Sequence, residues 1–357
     1  MDETRFLSWH RAYLLQFENW LREASGKNIT IPYFDCASDA SVESNDLFHK
    51  LNQRPFSSAY IGLEGRYTSR SPGAEYMTLY ACRSRAKGTF KRSFYSTLDF
   101  QEHLRKGIHN FLHMWVGNDM SDLSYASFDP VFWFHHANID RLWVKWQRGD
   151  GKAVQDREFS NNEDFLNWDF SQRGFSGLAY KDFMNSRSLP SLGGNQRVRV
   201  VYEDESRVFT TSKRSVEEEE IGRDVDMIIK NLAPTENSFL IRATYQSGER
   251  EVELGTFTVL GYGNCCKNGI CSNLAKKHQT FDDGIDVSHI AEDLVKRQEI
   301  SVTLHVYNLS KKTQSSLEEL QNIIKNTVAE VPELELQWET KTRSHKFPKI
   351  TISNKKN

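Results

Sequence analysis

The sequence lacks any apolar run long enough to span a bilayer, which argues against a membrane-spanning helix. It also lacks an excess of either charge, because 46 lysines and arginines face 48 aspartates and glutamates. That balance argues against binding to nucleic acid or to a membrane surface through bulk charge. The N-terminus does not show the basic and then apolar pattern of a signal peptide. The sequence therefore predicts a globular protein that binds neither nucleic acid nor membranes.

Cysteine is scarce, with five residues in 357, and three of them lie in "GNCCKNGICSN". Cys265, Cys266 and Cys271 could form a disulfide-pinned surface loop or a soft-metal site. The segment offers neither a CxxC pair nor a nearby histidine, so disulfides are favoured. Two N-glycosylation sequons, "NIT" at Asn28 and "NLS" at Asn308, are compatible with secretion.

The first half of the chain is rich in helix-forming patterns. Apolar residues recur with helical spacing in "WHRAYLLQFENWLREA" and in "DFQEHLRKGIHNFLHMW". Further on, Ile139, Leu142, Trp143 and Trp146 follow the spacing i, i+3, i+4, i+7, which predicts one more helix. Between these segments, "NITIPYFDCASDA" is typical of an extended strand followed by a turn.

The pattern changes near residue 190, after a Pro- and Gly-containing linker, "SRSLPSLGGNQ". Five runs then alternate like strands: "RVRVVYED", "DVDMIIKNL", "SFLIRATY", "EVELGTFTVLGYG" and "ISVTLHVYNL". "DVSHIAEDLVKR" and "SSLEELQNIIKNTVAEV" indicate helices. We predict a multidomain α+β protein, with a mainly helical domain over 1–190, an all-β sandwich over 191–310 and a helical or irregular tail over 311–357.

Four histidines have the spacing of metal ligands. His109 and His113 are four residues apart, which places both imidazoles on one face of a helix. His135 and His136 follow in "DPVFWFHHANIDRLW". Adjacent helical side chains point about a third of a turn apart, so only one of these two can complete a three-imidazole site. Such a site suits copper, zinc or iron.

Two further residues admit a structural as well as a functional interpretation. Asp140, one turn beyond His136, can orient a ligand from the second shell, or it can pair with Arg141 or cap a turn. His10 stands alone on a predicted helix, where a single buried histidine is more often part of a core than a ligand.

The motifs "FLSWHRAYLLQFE", "IHNFLHMWVG" and "DPVFWFHHANIDRLWVKWQ" resemble those of the tyrosinase–haemocyanin family of type 3 copper proteins. "ITIPYFDCASDA" is similar to that family's "PYWDW" segment, with Phe34 and Cys36 in place of the two tryptophans. The resemblance is strong over residues 5–150. Beyond 190, the strand pattern resembles the β-sandwich that follows the copper domain in plant polyphenol oxidases and molluscan haemocyanins.

The resemblance implies a ligand set. His109, His113 and His136 match the ligands of the second copper, CuB, and His135 matches a neighbouring histidine that is not a ligand. His10 matches the third ligand of the first copper, CuA. The positions of the other two CuA ligands fall at or before Met1, so we expect a truncated N-terminus; genuine loss of CuA is the alternative. The family also implies an extracellular protein, whose signal peptide we expect to have been lost with that N-terminus.

The same resemblance implies copper as cofactor, with dioxygen and phenolic or catecholic small molecules as reaction partners. The expected activity is oxidation of o-diphenols to quinones, which we expect to be impaired in this chain because two CuA ligands are absent. The alternatives are a haemocyanin-type dioxygen carrier and an inactive scaffold. Hydroxylation of monophenols would add a water held by Asn110 and by a glutamate, for which Glu102 is the candidate. A solvent-facing Glu102 is the alternative. Oligomeric state stays open.

Overall fold

A computed structural model describes residues 5–42, 47–54, 56–70, 79–171, 175–192, 197–202, 225–233, 235–261, 281–287, 290–311, 313–327, 333–340 and 346–353. The predicted cysteine loop at Cys265, Cys266 and Cys271 lies outside the described residues.

The chain divides into two compact units, each built from three segments. Unit 1 comprises Met1–Asp35, Arg92–Arg105 and Trp133–Glu218. Unit 2 comprises Cys36–Lys91, Lys106–Phe132 and Glu219–Asn357. The domain boundaries predicted near residues 190 and 310 stay predictions.

Within the described residues, the helices are α1 (Phe6–Ser25), α2 (Asp39–Val42), α3 (Leu47–Leu51), α4 (Leu79–Lys91), α5 (Thr97–Leu104), α6 (Asn110–Val116), α7 (Pro130–Arg148), α8 (Gly151–Ser160), α9 (Ala291–Leu294) and α10 (Leu317–Thr327). The strands are β1 (Tyr60–Ile61), β2 (Arg66–Tyr67), β3 (Leu189–Pro190), β4 (Arg197–Val198), β5 (Val225–Leu232), β6 (Phe239–Ser247), β7 (Arg250–Val259), β8 (Phe281–Asp286), β9 (Glu299–Asn308), β10 (Thr313–Ser315), β11 (Glu335–Thr340) and β12 (Lys349–Ser353). No helix of the described part combines the length and the apolarity needed to cross a membrane.

Helix α1 confirms the first helical prediction. Leu7, His10 and Leu14 lie on its buried face, with the spacing of successive helical turns. The helix ends at Gly26, which adopts a left-handed conformation with φ 64° and donates its N–H to the Arg22 carbonyl at 2.9 Å. Glycine takes up this conformation without a steric penalty, which makes it a common helix terminator.

The second predicted helix is present but is not uniform. Helix α5 begins after Ser96, whose hydroxyl accepts the Asp99 N–H at 3.0 Å. A π-helical turn, Arg105–His109, then leads into α6. A single π turn inserts one extra residue into a helix, and such turns occur often at functional sites. Sequence periodicity alone did not indicate this turn.

Helix α7 confirms the third helical prediction. Its four periodic apolar residues, Ile139, Leu142, Trp143 and Trp146, are all buried. Asp129 precedes the helix and accepts the Val131 N–H at 2.8 Å, which satisfies a backbone donor of the first turn. A buried ion pair with Arg70 at 2.7 Å holds the Asp129 carboxylate in place.

Two strand predictions in the first 202 residues need correction. The described residues 28–35, predicted as a strand, form none. Their polar groups are bound one at a time instead: the Phe34 N–H donates to the Phe134 carbonyl at 3.0 Å, and Asp35 pairs with Arg141 at 2.6 Å. In "RVRVVYED" only Arg197–Val198 is a strand among the described residues, paired antiparallel with β3.

Unit 2 contains two sheets that share one apolar core. One sheet has the order β10-β9-β6-β7, with β12 parallel to β9, and the other has the order β11-β5-β8. Met227 and Ile229 of β5 and Ile241 of β6 are fully buried in the shared cluster. The four strand runs predicted from residue 225 onwards are confirmed, and so are the helices α9 and α10.

The described residues of the stretch 311–357 form strands that were not predicted. They contribute β10 and β12 to the larger sheet and β11, paired with β5, to the smaller one. Irregular or helical structure was the wrong expectation for these strands. They are short, and "ELQWET" mixes charged residues with only two large apolar ones, so their pattern was too weak to recognise.

Within unit 2, the sheets are bound to the helical segments by polar contacts. The Ser238 hydroxyl donates to the Ser121 carbonyl at 2.6 Å, and Lys106 Nζ donates to the Asp282 carbonyl at 2.5 Å. A disulfide between Cys36 and Cys82, both fully buried, joins the segment after residue 35 to α4.

Candidate metal centre

His109 and His113 form the best-defined candidate site, at the start of α6. The π turn ends at His109, and one helical turn later His113 presents its ring on the same side. The two Nε2 atoms lie 3.1 Å apart. The sequence prediction that these imidazoles converge is therefore confirmed within unit 2.

Hydrogen bonds at the opposite nitrogens fix both rings. His113 Nδ1 lies 2.6 Å from the Met120 carbonyl oxygen, and His109 Nδ1 lies 2.9 Å from Asn110 Oδ1. Carbonyl and amide oxygens only accept, so each Nδ1 carries the proton and each Nε2 presents a lone pair. Asn110 was predicted to help hold a water, and its side-chain oxygen accepts a hydrogen bond from His109 Nδ1.

Burial favours the uncharged form of the His113 ring. His113 and His109 are 1% and 5% exposed. Burial lowers the pKa of His113 to about 4, although the Met120 carbonyl acts in the opposite direction. Neutral imidazole is the form that binds metals.

The donor set fits a copper ion. The two Nε2 atoms lie 3.1 Å apart, close enough for both to bind one metal ion. Neutral imidazole nitrogens suit copper among the transition metals. The Phe132 ring, 6.1 Å from the His113 ring centre, adds an apolar wall in unit 2.

Unit 1 holds the other three predicted histidines. The rings of His10 and His136 are stacked, with centres 4.3 Å apart and planes 14° from parallel. His10 Nδ1 lies 2.7 Å from the Phe6 carbonyl oxygen, so its Nε2 also presents a lone pair. His135 is fully buried, with its ring centre 5.1 Å from that of His136. Which copper each of these three residues serves stays a prediction.

Asp140 binds residues that the sequence did not suggest. Its Oδ1 accepts from Arg11 Nε and its Oδ2 from the Tyr202 hydroxyl, both at 2.6 Å. Burial, followed by the negative charge of Asp140, raises the pKa of Tyr202 above its usual range. The alternative pairing with Arg141 is wrong, because the Arg141 guanidinium contacts Asp35 and Asn138.

Sequence analysis missed Arg11, which lies next to the candidate ligand His10 and pairs with Asp140. It is 1% exposed, directly follows His10, and also donates to the carbonyls of Phe183 and Met184. Its guanidinium lies 3.7 Å from the centre of a Trp143 ring. The one available signal was that Arg11 directly follows His10 in "WHR". An arginine beside a candidate ligand, if it is buried, needs a carboxylate partner.

Glu102 has a local partner. Both of its carboxylate oxygens accept from Arg105, at 2.9 and 3.2 Å, and its side chain is 35% exposed. This geometry matches the solvent-facing interpretation. A role for Glu102 in holding a water stays a prediction.

Comparison with solved structures identifies the fold. A functional unit of octopus haemocyanin superposes with a TM-score of 0.59 at 18% identity, covering 94% of this chain and 83% of that one. A tyrosinase from Burkholderia thailandensis superposes with a TM-score of 0.54 at 15% identity, covering 94% and 87%. The mixed α+β architecture is therefore the one found in haemocyanin units and tyrosinases.

Sequence comparison identifies the family. The model for the common central domain of tyrosinase matches residues 2–78 and 68–149. Unit D of the Helix pomatia haemocyanin beta-C chain is 32% identical in an alignment of 155 residues that covers 40% of this chain and 37% of that protein. The Streptomyces glaucescens tyrosinase is 31% identical in an alignment of 173 residues that covers 40% of this chain and 62% of that enzyme. In each case the match spans less than two thirds of the relative.

Residues 2–149 therefore match the central domain of the tyrosinase–haemocyanin family of type 3 copper proteins. That family contains both oxidases and oxygen carriers.

Proposed function

We propose that this protein is a copper-dependent oxidase that converts o-diphenols to quinones with dioxygen as oxidant. The observation that carries the proposal is the pair His109 and His113, two buried imidazoles with Nε2 atoms 3.1 Å apart. Two imidazole nitrogens this close can bind one metal ion together. The family match then favours copper over the other metals that imidazoles bind.

The proposed ligands follow the family motifs. His109, His113 and His136 would hold one copper through their imidazole nitrogens, with His135 beside them as a non-ligand. His10 would serve the other copper. Its Nδ1–H donates to the Phe6 carbonyl, which supports this role because it leaves Nε2 as the donor atom.

Copper, when bound, supplies the redox couple through which one dioxygen oxidises two o-diphenols to two quinones and is reduced to two waters. The protein's part is to orient and to exclude water. Asn110 and the Met120 carbonyl hold the two rings of α6 in one tautomer. Burial lowers the pKa of His113, which keeps this ring unprotonated and therefore able to bind metal.

A dioxygen carrier is the second candidate. Identity of 32% to a snail haemocyanin unit and 31% to a bacterial tyrosinase supports both functions about equally. The difference between them is access of a phenol to the metal. An inactive scaffold is the third, and it predicts one bound copper or none and no reaction with dioxygen.

We further propose an extracellular location. The disulfide between Cys36 and Cys82 supports it, because disulfides persist in oxidising compartments and are rare in reducing ones. Both sulfur-bearing side chains are fully buried, which is typical of a structural bond.

Copper binding and catechol turnover test the proposal on the same preparations. We expect the wild-type chain to bind copper at His109 and His113, and a chain that also carries the remaining ligands of the other copper to consume dioxygen when catechol is added. His113→Ala should bind copper more than about 100-fold more weakly, since loss of a partner that only orients a ligand already costs about 10–100-fold. His305→Ala, on strand β9, is the control and should bind copper as the wild type does.

The outcomes separate the three candidates. Reversible dioxygen binding without catechol turnover would establish the carrier. A wild-type chain that takes up no copper would overturn both copper functions. The same assay assigns the third imidazole: His136→Ala should lose copper and His135→Ala should retain it, and the reverse result would exchange their roles.

A further inference from the structure

The two N-glycosylation sequons of this chain lie in opposite environments. "NIT" begins at Asn28, in the irregular segment after α1, where Asn28 and Thr30 are exposed. "NLS" begins at Asn308, the last residue of β9, which is 0% exposed. An oligosaccharide is bulky and hydrophilic, so only an exposed side chain can carry one in a folded protein.

We propose that Asn28 is an N-linked glycosylation site and that Asn308 is unmodified in the folded protein. This inference goes beyond the proposed copper chemistry. It rests on the proposed extracellular location and not on the metal site.

Side chains of α1 hold the segment around Asn28 so that its sequon faces solvent. Arg22 Nε donates to the Ile29 carbonyl at 2.8 Å, and Glu18 accepts the Ile31 N–H at 3.0 Å. Ile29 and Ile31 are partly buried, whereas Asn28 and Thr30 are exposed. The backbone is therefore anchored through alternate residues, and the asparagine and the threonine both remain accessible to a modifying enzyme.

Asn308 is enclosed instead. Its Oδ1 accepts the Lys311 N–H at 2.9 Å, and less than 1 Å² of its amide nitrogen is accessible. In the sheet it is paired with Phe239 of β6 and Thr313 of β10. The hydroxyl of Ser310, the third sequon residue, accepts the Ser238 N–H at 2.9 Å. A sugar on the amide nitrogen would have to displace these strands.

The modification is a group transfer with a defined balance. The donor is an oligosaccharide linked to a polyprenyl pyrophosphate. The bond from the anomeric carbon of its first sugar to the pyrophosphate oxygen breaks, and a bond from that carbon to Asn28 Nδ2 forms. Nδ2 loses one of its two protons to a base of the transferase, and the lipid pyrophosphate leaves. No oxidant or reductant is involved.

The test is secretion of the full chain from eukaryotic cells behind a cleavable leader, followed by peptide mass spectrometry. We expect one N-glycan, on Asn28, which peptide N-glycosidase removes while converting Asn28 to aspartate. Thr30→Ala should abolish it, whereas Thr30→Ser, which keeps the sequon, should retain it. Because Thr30 is exposed, neither change should affect folding.

Two results would overturn the proposal. One is an Asn28 peptide without sugar in the secreted protein, and the other is a glycan on Asn308 in the folded, secreted fraction. Copper content measured on the same preparations keeps this outcome distinct from the proposed function. A glycosylated chain without copper would refute only the copper function, and a copper-loaded chain without a glycan only the present inference.

Discussion

The region of α1 and α7 in unit 1 and the region of α6 in unit 2 both bury histidines, but they treat charge differently. In unit 1, Arg11 and Asp140 form an ion pair with side chains 1% and 4% exposed. In unit 2, the imidazoles of α6 are held by uncharged oxygens of Asn110 and Met120. The first region therefore depends on a charge pair, and the second on neutral hydrogen bonds.

This difference predicts which property each region controls. Loss of one partner of a buried ion pair leaves the other charge without compensation, which destabilises the whole fold. Loss of a neutral hydrogen bond to a ligand ring mainly frees the ring to rotate, which weakens metal binding. Substitutions in unit 1 should therefore change stability most, and those around α6 should change copper affinity.

The largest expected effect is on stability, at Asp140. Asp140→Asn should lower the free energy of unfolding by about 3–5 kcal/mol, because Arg11 stays buried without its carboxylate. Denaturant unfolding of the copper-free protein measures the change directly. Asp156→Asn is the matched control, since Asp156 pairs with Lys152 in the same unit but both side chains are more than half exposed. It should cost less than about 1 kcal/mol. Equal losses in the two variants would contradict the charge-pair interpretation.

Next in size is the effect of Asn110 on copper affinity. Asn110→Ala removes the acceptor of the His109 Nδ1–H and should weaken copper binding by about 10–100-fold. Competition with a chelator of known affinity measures it. Asn110→Asp restores an acceptor and should recover part of the loss. Wild-type affinity in the alanine variant would show that the ring is held by packing alone.

The same contrast explains which parts of the site could be predicted from the sequence. His109 and His113 are four residues apart on one helix, so their convergence follows from helical geometry. Arg11 and Asp140 are 129 positions apart, and no local pattern links them. Tyr202, the second partner of Asp140, lies in "RVRVVYED", a run that indicated only a strand. Contacts between distant segments depend on the tertiary fold, which periodicity does not encode.

The fold shows the same limit. Long amphipathic helices and strands of eight to ten residues were recognised, because many residues repeat one pattern. The segment around Phe34 looked like a strand from its β-branched residues, yet it lies against α7 through single hydrogen bonds. The six residues of strand β11 have too weak a pattern to predict a strand, and they form one because they pair with β5. In both cases tertiary context overrode local propensity.

The smallest expected effect is a pH dependence of stability that comes from Asp283 in unit 2. The carboxylate of Asp283 is buried like that of Asp140, but its hydrogen-bond donors are backbone groups, whereas those of Asp140 are side chains. Its oxygens accept the N–H groups of Thr258 and Gly284. Burial raises the pKa of Asp283 above its usual value, and these hydrogen bonds together with the positive charges of Arg85 and Lys106 oppose the shift only in part.

The sign of the effect follows from that direction. The folded protein binds the Asp283 proton more tightly than the unfolded chain, so the contribution of Asp283 to stability is present at low pH. It is lost as the pH rises from the ordinary carboxyl range through the raised pKa. Asp283→Asn keeps an acceptor but cannot ionise, so its stability relative to the wild type should increase over that range. Unfolding of the copper-free proteins at a series of pH values measures this difference. A constant difference would mean that Arg85 and Lys106 neutralise Asp283 as fully as Arg11 neutralises Asp140, and the contrast between the two regions would disappear.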